Sequence, residues 1–197
     1  MDATEPVPRA PDDALLVVDV QNDFLPGGAL AVPAGDEVIA PLNAWLAAFA
    51  ARGCGVFASR DWHPAAHCSF RGQGGPWPAH CVAGSPGAEF AASLALPPHA
   101  VVVSKGTARD ADAYSAFSGT ALAPALRAAH VRRLWVGGLA TDYCVLETVR
   151  DARRLGFEVV VLQAAVRGVE VKEGDSARAC EAMRAAGARL SPALAPP

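Results

Sequence analysis

Strong charge of either sign is missing from this sequence: charged residues make up 19% of its 197 positions, and the formal net charge is −3. Its only adjacent basic pairs are Arg132–Arg133 and Arg153–Arg154, so it has no basic stripe suited to a phosphate backbone, and no nucleic-acid partner is expected. Both pairs flank or sit on predicted helices and read as solvated helical face. A signal peptide is missing as well. The first 13 residues carry Asp2, Glu5, Asp12 and Asp13 with three prolines, in place of a basic start and an apolar run. No apolar stretch reaches the roughly 20 residues that cross a bilayer, because Pro, Gly or a charge interrupts each one. The expectation is a soluble cytoplasmic protein with no membrane partner. Paired cysteines are also lacking. Cys54, Cys68, Cys81, Cys144 and Cys180 are odd in number and scattered, which argues for free thiols in a reducing compartment rather than a disulfide framework or a cysteine-based metal knuckle. Four of them read as small packing residues; Cys144 has a distinctive setting.

The hydrophobic fraction is 52%, and a chain of this length can bury a core without disulfides or metal to hold it. One domain spanning 1–197 is expected, with residues 1–12 and 191–197 as frayed ends. Apolar runs at Leu15–Val18, Val56–Ser59, Val101–Val103, Leu134–Val136 and Val159–Leu162 alternate with helical stretches near Glu37–Arg52, Gly119–Ala129, Val145–Leu155 and Asp175–Ala186. That alternation predicts an α/β fold, a three-layer sandwich whose central, mostly parallel sheet is flanked by helices on both faces. The strands are continuously apolar rather than alternating, as expected when both sheet faces are buried. Gly53 and Gly156 follow long helices and read as left-handed helix terminators. Between Asp61 and Pro98 the periodicity is lost, leaving one long irregular excursion of the kind that often carries function.

Four predicted strands lead into residues able to do chemistry: Asp19, the pair Asp61 and His63, Lys105 and Cys144. In an open parallel sheet the carboxyl ends of the strands lie along one edge, so these groups can meet in one crevice. In Asp61-Trp62-His63 an extended chain points residues two apart to the same side. His80 lies in the same excursion and can complete an Asp/His/His set that leaves coordination positions open. Such a set accepts zinc, ferrous iron or manganese. His67 is a candidate fourth ligand, for which hydrogen bonding or loop packing accounts equally well; His99 and His130 read as surface residues. Cys144 follows a strand and a tight turn with Thr141 or Asp142 as helix cap, which puts its thiol in a first helical turn. The dipole and free amides there are expected to lower the thiol's pKa, and the Ala140 and Cys144 N–H groups could form an oxyanion hole. Asp19 ends an apolar strand where its pKa is tunable, followed by the polar Gln21-Asn22-Asp23. Lys105 could hold Asp19 ionised and stabilise a thiolate, its alternative being an exposed loop lysine.

Six segments together resemble the nicotinamidase branch of the isochorismatase-like cysteine hydrolases. They are Val18-Asp19-Val20-Gln21-Asn22-Asp23-Phe24 with Gly27-Gly28, Asp61-Trp62-His63-Pro64, Trp77-Pro78-Ala79-His80-Cys81, Lys105-Gly106, Asp112-Ala113-Tyr114-Ser115-Ala116-Phe117 and Gly138-Leu139-Ala140-Thr141-Asp142-Tyr143-Cys144-Val145. The resemblance implies a catalytic triad of Asp19, Lys105 and Cys144. It also implies a divalent metal, zinc foremost, on Asp61, His63 and His80, holding the pyridine nitrogen of nicotinamide. It further implies a cis peptide before Ala140 that aims the Ala140 amide into the oxyanion hole, pocket walls from Phe24 and Trp77, and a lining position for Phe117. His67 stays outside the implied ligand set. The expected reaction is hydrolysis of nicotinamide to nicotinate and ammonia through a cysteine thioester. Alternatives are a related hydrolase acting on another amide or a vinyl ether, and a catalytically silent metal-binding interaction module. An oxygen-activating iron enzyme would leave Cys144 and Lys105 without a role. Association into a homo-oligomer is left open.

Overall fold

The computed structural model describes residues 8–194. Its sheet has six strands: β1 (Asp13–Val18), β2 (Gly55–Asp61), β3 (Val101–Lys105), β4 (Arg133–Leu139), β5 (Glu158–Arg167) and β6 (Arg189–Ser191). They lie in the order β3-β2-β1-β4-β5-β6, and every pairing is parallel. The helices are α1 (Ile39–Ala51), α2 (Leu122–Ala128), α3 (Leu146–Arg154) and α4 (Asp175–Ala185).

Successive strand residues point to opposite faces, and each face meets its own helical layer. Leu15, Val17, Val56 and Trp135 pack with Leu42, Trp45 and Phe49 of α1. Leu16, Phe57, Leu134 and Val136 pack with Leu126 of α2, Val149 of α3 and Met183 of α4. Every position of β1 is therefore buried, which is why its sequence shows no alternation. Gly53 and Gly156 have φ of 65° and 90° just past α1 and α3, the left-handed conformation that ends a helix.

The expected frayed ends are corrected at two places. At the tail, Arg189–Ser191 forms β6 against Val160–Leu162 of β5, and Ser191 is buried. At the other end, the Asp12 carbonyl accepts from the Arg132 and Arg133 amides, which fixes residue 12 to the start of β4. Asp13 is wholly buried; its carboxylate accepts from Arg133 Nη2 at 2.8 Å and Trp135 Nε1 at 2.9 Å and clamps the amino-terminal rim of the sheet. Residues 1–7 and 195–197 of the expected ends lie outside the described residues.

The strand order reverses between β1 and β4, and in open α/β sheets the crevice outside the carboxyl ends at such a switch point is the usual ligand site. The two strands approach closely there. Gly138 has φ 126°, and a β-carbon on it would strike the Val18 carbonyl oxygen. Gly138→Ala is therefore expected to destabilise the fold by at least the ~3 kcal/mol upper end of ordinary substitutions. A denaturation midpoint equal to that of the parent chain would show that the β1–β4 contact tolerates a side chain.

Candidate active site

Parallel registration brings the reactive groups together. Asp61 and Lys105 are paired residues at the ends of β2 and β3. Asp19 follows β1, and its backbone at φ 49° is in the left-handed region that non-glycine residues occupy at a cost, often at functional sites. Asp19 Oδ1 accepts a 2.7 Å hydrogen bond from Ser59 Oγ. The Lys105 ammonium donates to Asp61 Oδ1 at 2.6 Å, to the Ala113 carbonyl at 3.1 Å and to Cys144 Sγ at 3.3 Å. Its three hydrogen-bond directions are thus occupied. Asp19 Oδ2 lies 2.9 Å from the same ammonium as an ion pair, yet no directed hydrogen bond reaches it among the described residues. That oxygen keeps a lone pair for the neighbouring thiol: Asp19, Asp61 and Cys144 each offer one atom within 4.8 Å of the other two.

Cys144 sits on a π-helical turn, Thr141–Val145, that opens α3. The peptide before Ala140 is cis, and the Ala140 carbonyl accepts from the Tyr143 and Val145 amides. The expected cap is corrected: no side chain caps this turn. The Asp142 carboxylate instead accepts from the Val169 and Glu170 amides at 2.9 Å each, tying the turn to the segment after β5. The expected low thiol pKa is corrected too. Burial pushes the Cys144 thiol well above its ordinary value, Lys105 only partly offsets this, and the Asp19 and Asp61 carboxylates add to it. Burial likewise raises Asp19 against the pull of Lys105. Burial opposes charge on Asp61 as well, but Lys105 and His63 outweigh it and hold that carboxyl below the usual range. Burial and the two carboxylates thus favour the protonated form of the sulfur, which lies beside the Asp19 carboxylate.

Beside the thiol, Asp61, His63 and His80 are all buried and offer one donor atom each within 4.8 Å of one another. The Nδ1 of His63 faces the Gly106 carbonyl at 2.9 Å, and that of His80 faces the Pro78 carbonyl at 2.8 Å. A proton on each Nδ1 would leave each Nε2 lone pair directed at a metal, the arrangement typical of ligating imidazoles. Gly106 is required beside this site, because its φ is 62° and a β-carbon on it would strike the His63 ring. The donor set fits a divalent metal. His67 stacks on His63 with ring centroids 4.2 Å apart, and both its nitrogens have protein partners, Ser69 Oγ and the Ala111 carbonyl. It packs behind His63.

The cavity in front of the thiol encloses about 470 Å³ of empty space, its open mouth included. Phe24, Trp77 and Ala140 line it together with Asp61, His63, His80 and Cys144. Phe117 does not: it stacks on Phe157, 6.1 Å between centroids, in the layer of α2–α4, and the expectation that it lines the pocket is corrected. Tyr114 and Tyr143 take that place. Trp77 Nε1 donates to Tyr114 Oη at 3.0 Å, and the Trp77 and Tyr143 rings meet edge to face at 5.1 Å. Both tyrosines stand in the motifs quoted above, but only the fold shows which aromatic of each motif faces the cavity.

Residues 13–193 match the family described as Isochorismatase domain. The chain is 44% identical over 201 residues to the nicotinamidase of Escherichia coli (strain K12), an alignment covering 91% of this chain and 94% of that protein. The pyrazinamidase of Pyrococcus horikoshii, solved in complex with zinc, superposes with a TM-score of 0.88 at 49% identity, over 92% of this chain and 99% of that one. PnC1 from L. infantum, in complex with nicotinate, gives a TM-score of 0.83 at 39% identity, over 91% of each chain.

Proposed function

Because the chain belongs to the isochorismatase family, in its nicotinamidase branch, we propose that it hydrolyses nicotinamide to nicotinate and ammonia through a thioester on Cys144. The observation that carries this reading is the reach of one buried ammonium: Lys105 touches Asp19, Cys144 and Asp61 at once, so the sulfur we assign as nucleophile, the carboxylate we assign as its base and the one we assign to the metal share a single cation.

Asp19 Oδ2 accepts the thiol proton as the sulfur attacks the carboxamide carbon. Burial raises both the thiol and the carboxyl and leaves Asp19 wholly out of contact with solvent, so the proton passes directly between neighbours instead of going to water. The Ala140 and Cys144 amides hold the oxyanion that develops on the carbonyl oxygen. Asp19 then returns the proton to the departing nitrogen, which leaves as ammonia. A water deprotonated by Asp19 attacks the thioester carbon, the carbon–sulfur bond breaks, and the thiol is regenerated as nicotinate leaves. Phe24 and Trp77 line the cavity and would stack on the pyridine and align the carboxamide with the sulfur. A divalent ion on Asp61, His63 and His80, which we assign as zinc, with iron or manganese as substitutes, would anchor the pyridine nitrogen and withdraw electron density from the ring. We place the enzyme in the cytoplasm, where its five free cysteines stay reduced.

The test is ammonia release from nicotinamide with metal content measured on the same preparation. Turnover with about one equivalent of metal is expected. A metal-replete, folded protein that releases no ammonia from nicotinamide would sink the proposal. His80→Ala is expected to lower metal affinity by more than the roughly 10–100-fold that an outer partner of a ligand costs, and to raise KM. Unchanged metal content and KM would remove His80 from the site.

A further inference from the structure

The polar run between Asp19 and Phe24 has no part in the chemistry above, yet its side chains grip the backbone that carries the three proposed ligands. Gln21 is wholly buried. Its Nε2 donates to the Asp61 carbonyl at 2.8 Å and its Oε1 accepts from the Asp61 amide at 2.7 Å, so one side-chain amide holds both polar groups of a ligand's own residue. The second Nε2 proton goes to the Ala88 carbonyl at 2.8 Å. Asp23 Oδ2 accepts from the Cys81 amide at 2.7 Å, one residue beyond His80. The Cys81 carbonyl in turn accepts from the His63 amide at 3.0 Å. Cys81 is a non-glycine residue at φ 46°, a conformation that persists only where the surroundings impose it. Asp23 on its N–H side and His63 on its C=O side supply that constraint. Gly87 leaves the room required, since a β-carbon there would strike the Asp23 carboxylate.

We propose that Gln21 and Asp23 are positioning residues that preassemble the metal site: Gln21 fixes Asp61, and Asp23 fixes the strained Cys81 link between His80 and His63. This rests on the assignment of Asp61, His63 and His80 as ligands under the proposed function. Neither residue need touch the ion or the substrate. Their loss acts on metal affinity through the placement of the donor atoms, the effect that outer partners of ligands commonly have.

The test is titration of the metal-stripped full-length chain with zinc, comparing the parent with Asp23→Ala, Asp23→Asn and Gln21→Met. Asp23→Ala and Gln21→Met are each expected to weaken zinc binding about 10–100-fold. Asp23→Asn keeps an acceptor for the Cys81 amide and should recover most of the loss. At low zinc KM should rise, and saturating zinc should bring kcat back. Iodoacetamide labelling of Cys144 in the metal-stripped state, read by peptide mass, should stay at the parent rate, which separates a displaced metal site from general unfolding. Parent-level zinc affinity in both Asp23→Ala and Gln21→Met overturns the inference. If Asp23→Ala does not fold, parent-level affinity in Gln21→Met overturns it alone. A parent chain that binds no zinc removes the ligand assignment itself, and with it this inference; that result is distinct from tight parental binding that the variants share.

Discussion

Cys144→Ala is expected to lower ammonia release from nicotinamide by roughly 10⁴-fold or more, the scale of losses seen when a nucleophile that works as one unit with its base is removed. The argument is geometric. Among the described residues that line the cavity, Cys144 alone offers a thiol, with a cationic donor at 3.3 Å and the Asp19 carboxylate within 4.8 Å, so no second group there is set up to take over the attack. Alanine leaves Phe24, Trp77 and the three proposed ligands in place, so nicotinamide binding by calorimetry should fall within about threefold of the parent, well under the ~1.4 kcal/mol that a tenfold change represents. Undiminished ammonia release would move the nucleophile elsewhere. Lost binding together with lost turnover would instead mean that the sulfur helps hold the ring.

The second large effect is expected for Lys105→Met, which is similar in length but uncharged. Two buried carboxylates, Asp19 and Asp61, would lose the ammonium they share at 2.9 and 2.6 Å. Removing one partner of a buried pair costs about 3–5 kcal/mol, because the remaining charge is left uncompensated. Asp19 is already raised by burial with Lys105 opposing, so without the lysine it rises further and is protonated over more of the working pH range. The acid limb of the pH–rate profile should therefore move to higher pH, with a rate loss on the order of 10²–10⁴-fold at neutral pH as the base is lost. The sign is opposite for the lysine's own contribution in the parent chain. Its folded pKa lies well above the ordinary 10.5, so its stabilisation is fully present below that value and fades only as pH climbs through the raised one. A stability curve flat from pH 7 to 10 is the corresponding expectation for this group. An unshifted acid limb and an unchanged denaturation midpoint in Lys105→Met would contradict the placement of the lysine between the two acids.

The layers were legible in the sequence because Leu15–Val18 and Val159–Leu162 are apolar at every position and alternate with helical stretches, the combination expected of doubly covered parallel strands. The reactive edge was legible for a related reason: a charged residue directly after such a run has to emerge at the strand's carboxyl end. What escaped has short-range or purely spatial causes. Arg189–Ser191 is three residues with no period to detect, and its pairing with β5 gives it structure that its Pro- and Ala-rich surroundings conceal. Phe117 sits three residues from Tyr114, and both are aromatic. The packing of Phe157 against Phe117 decides which of them faces the cavity, and Phe157 lies 40 positions further along the chain. Asp142 has the chemistry of a helix cap, but the amides of Val169 and Glu170 compete for its carboxylate and come from a distant segment. The direction of the Cys144 shift was misread because a helix terminus favours a thiolate, whereas full burial beside two carboxylates disfavours it more strongly.

The clamp formed by Asp13, Arg133 and Trp135 sits at the opposite rim from Asp19 and Ala140, separated by the length of β1, about 20 Å for six residues. Robustness and reactivity therefore have separate addresses on the same sheet. Thermal hardening could be engineered at the far rim while turnover stays at its parental level, and sequence drift at either rim can proceed without disturbing the other.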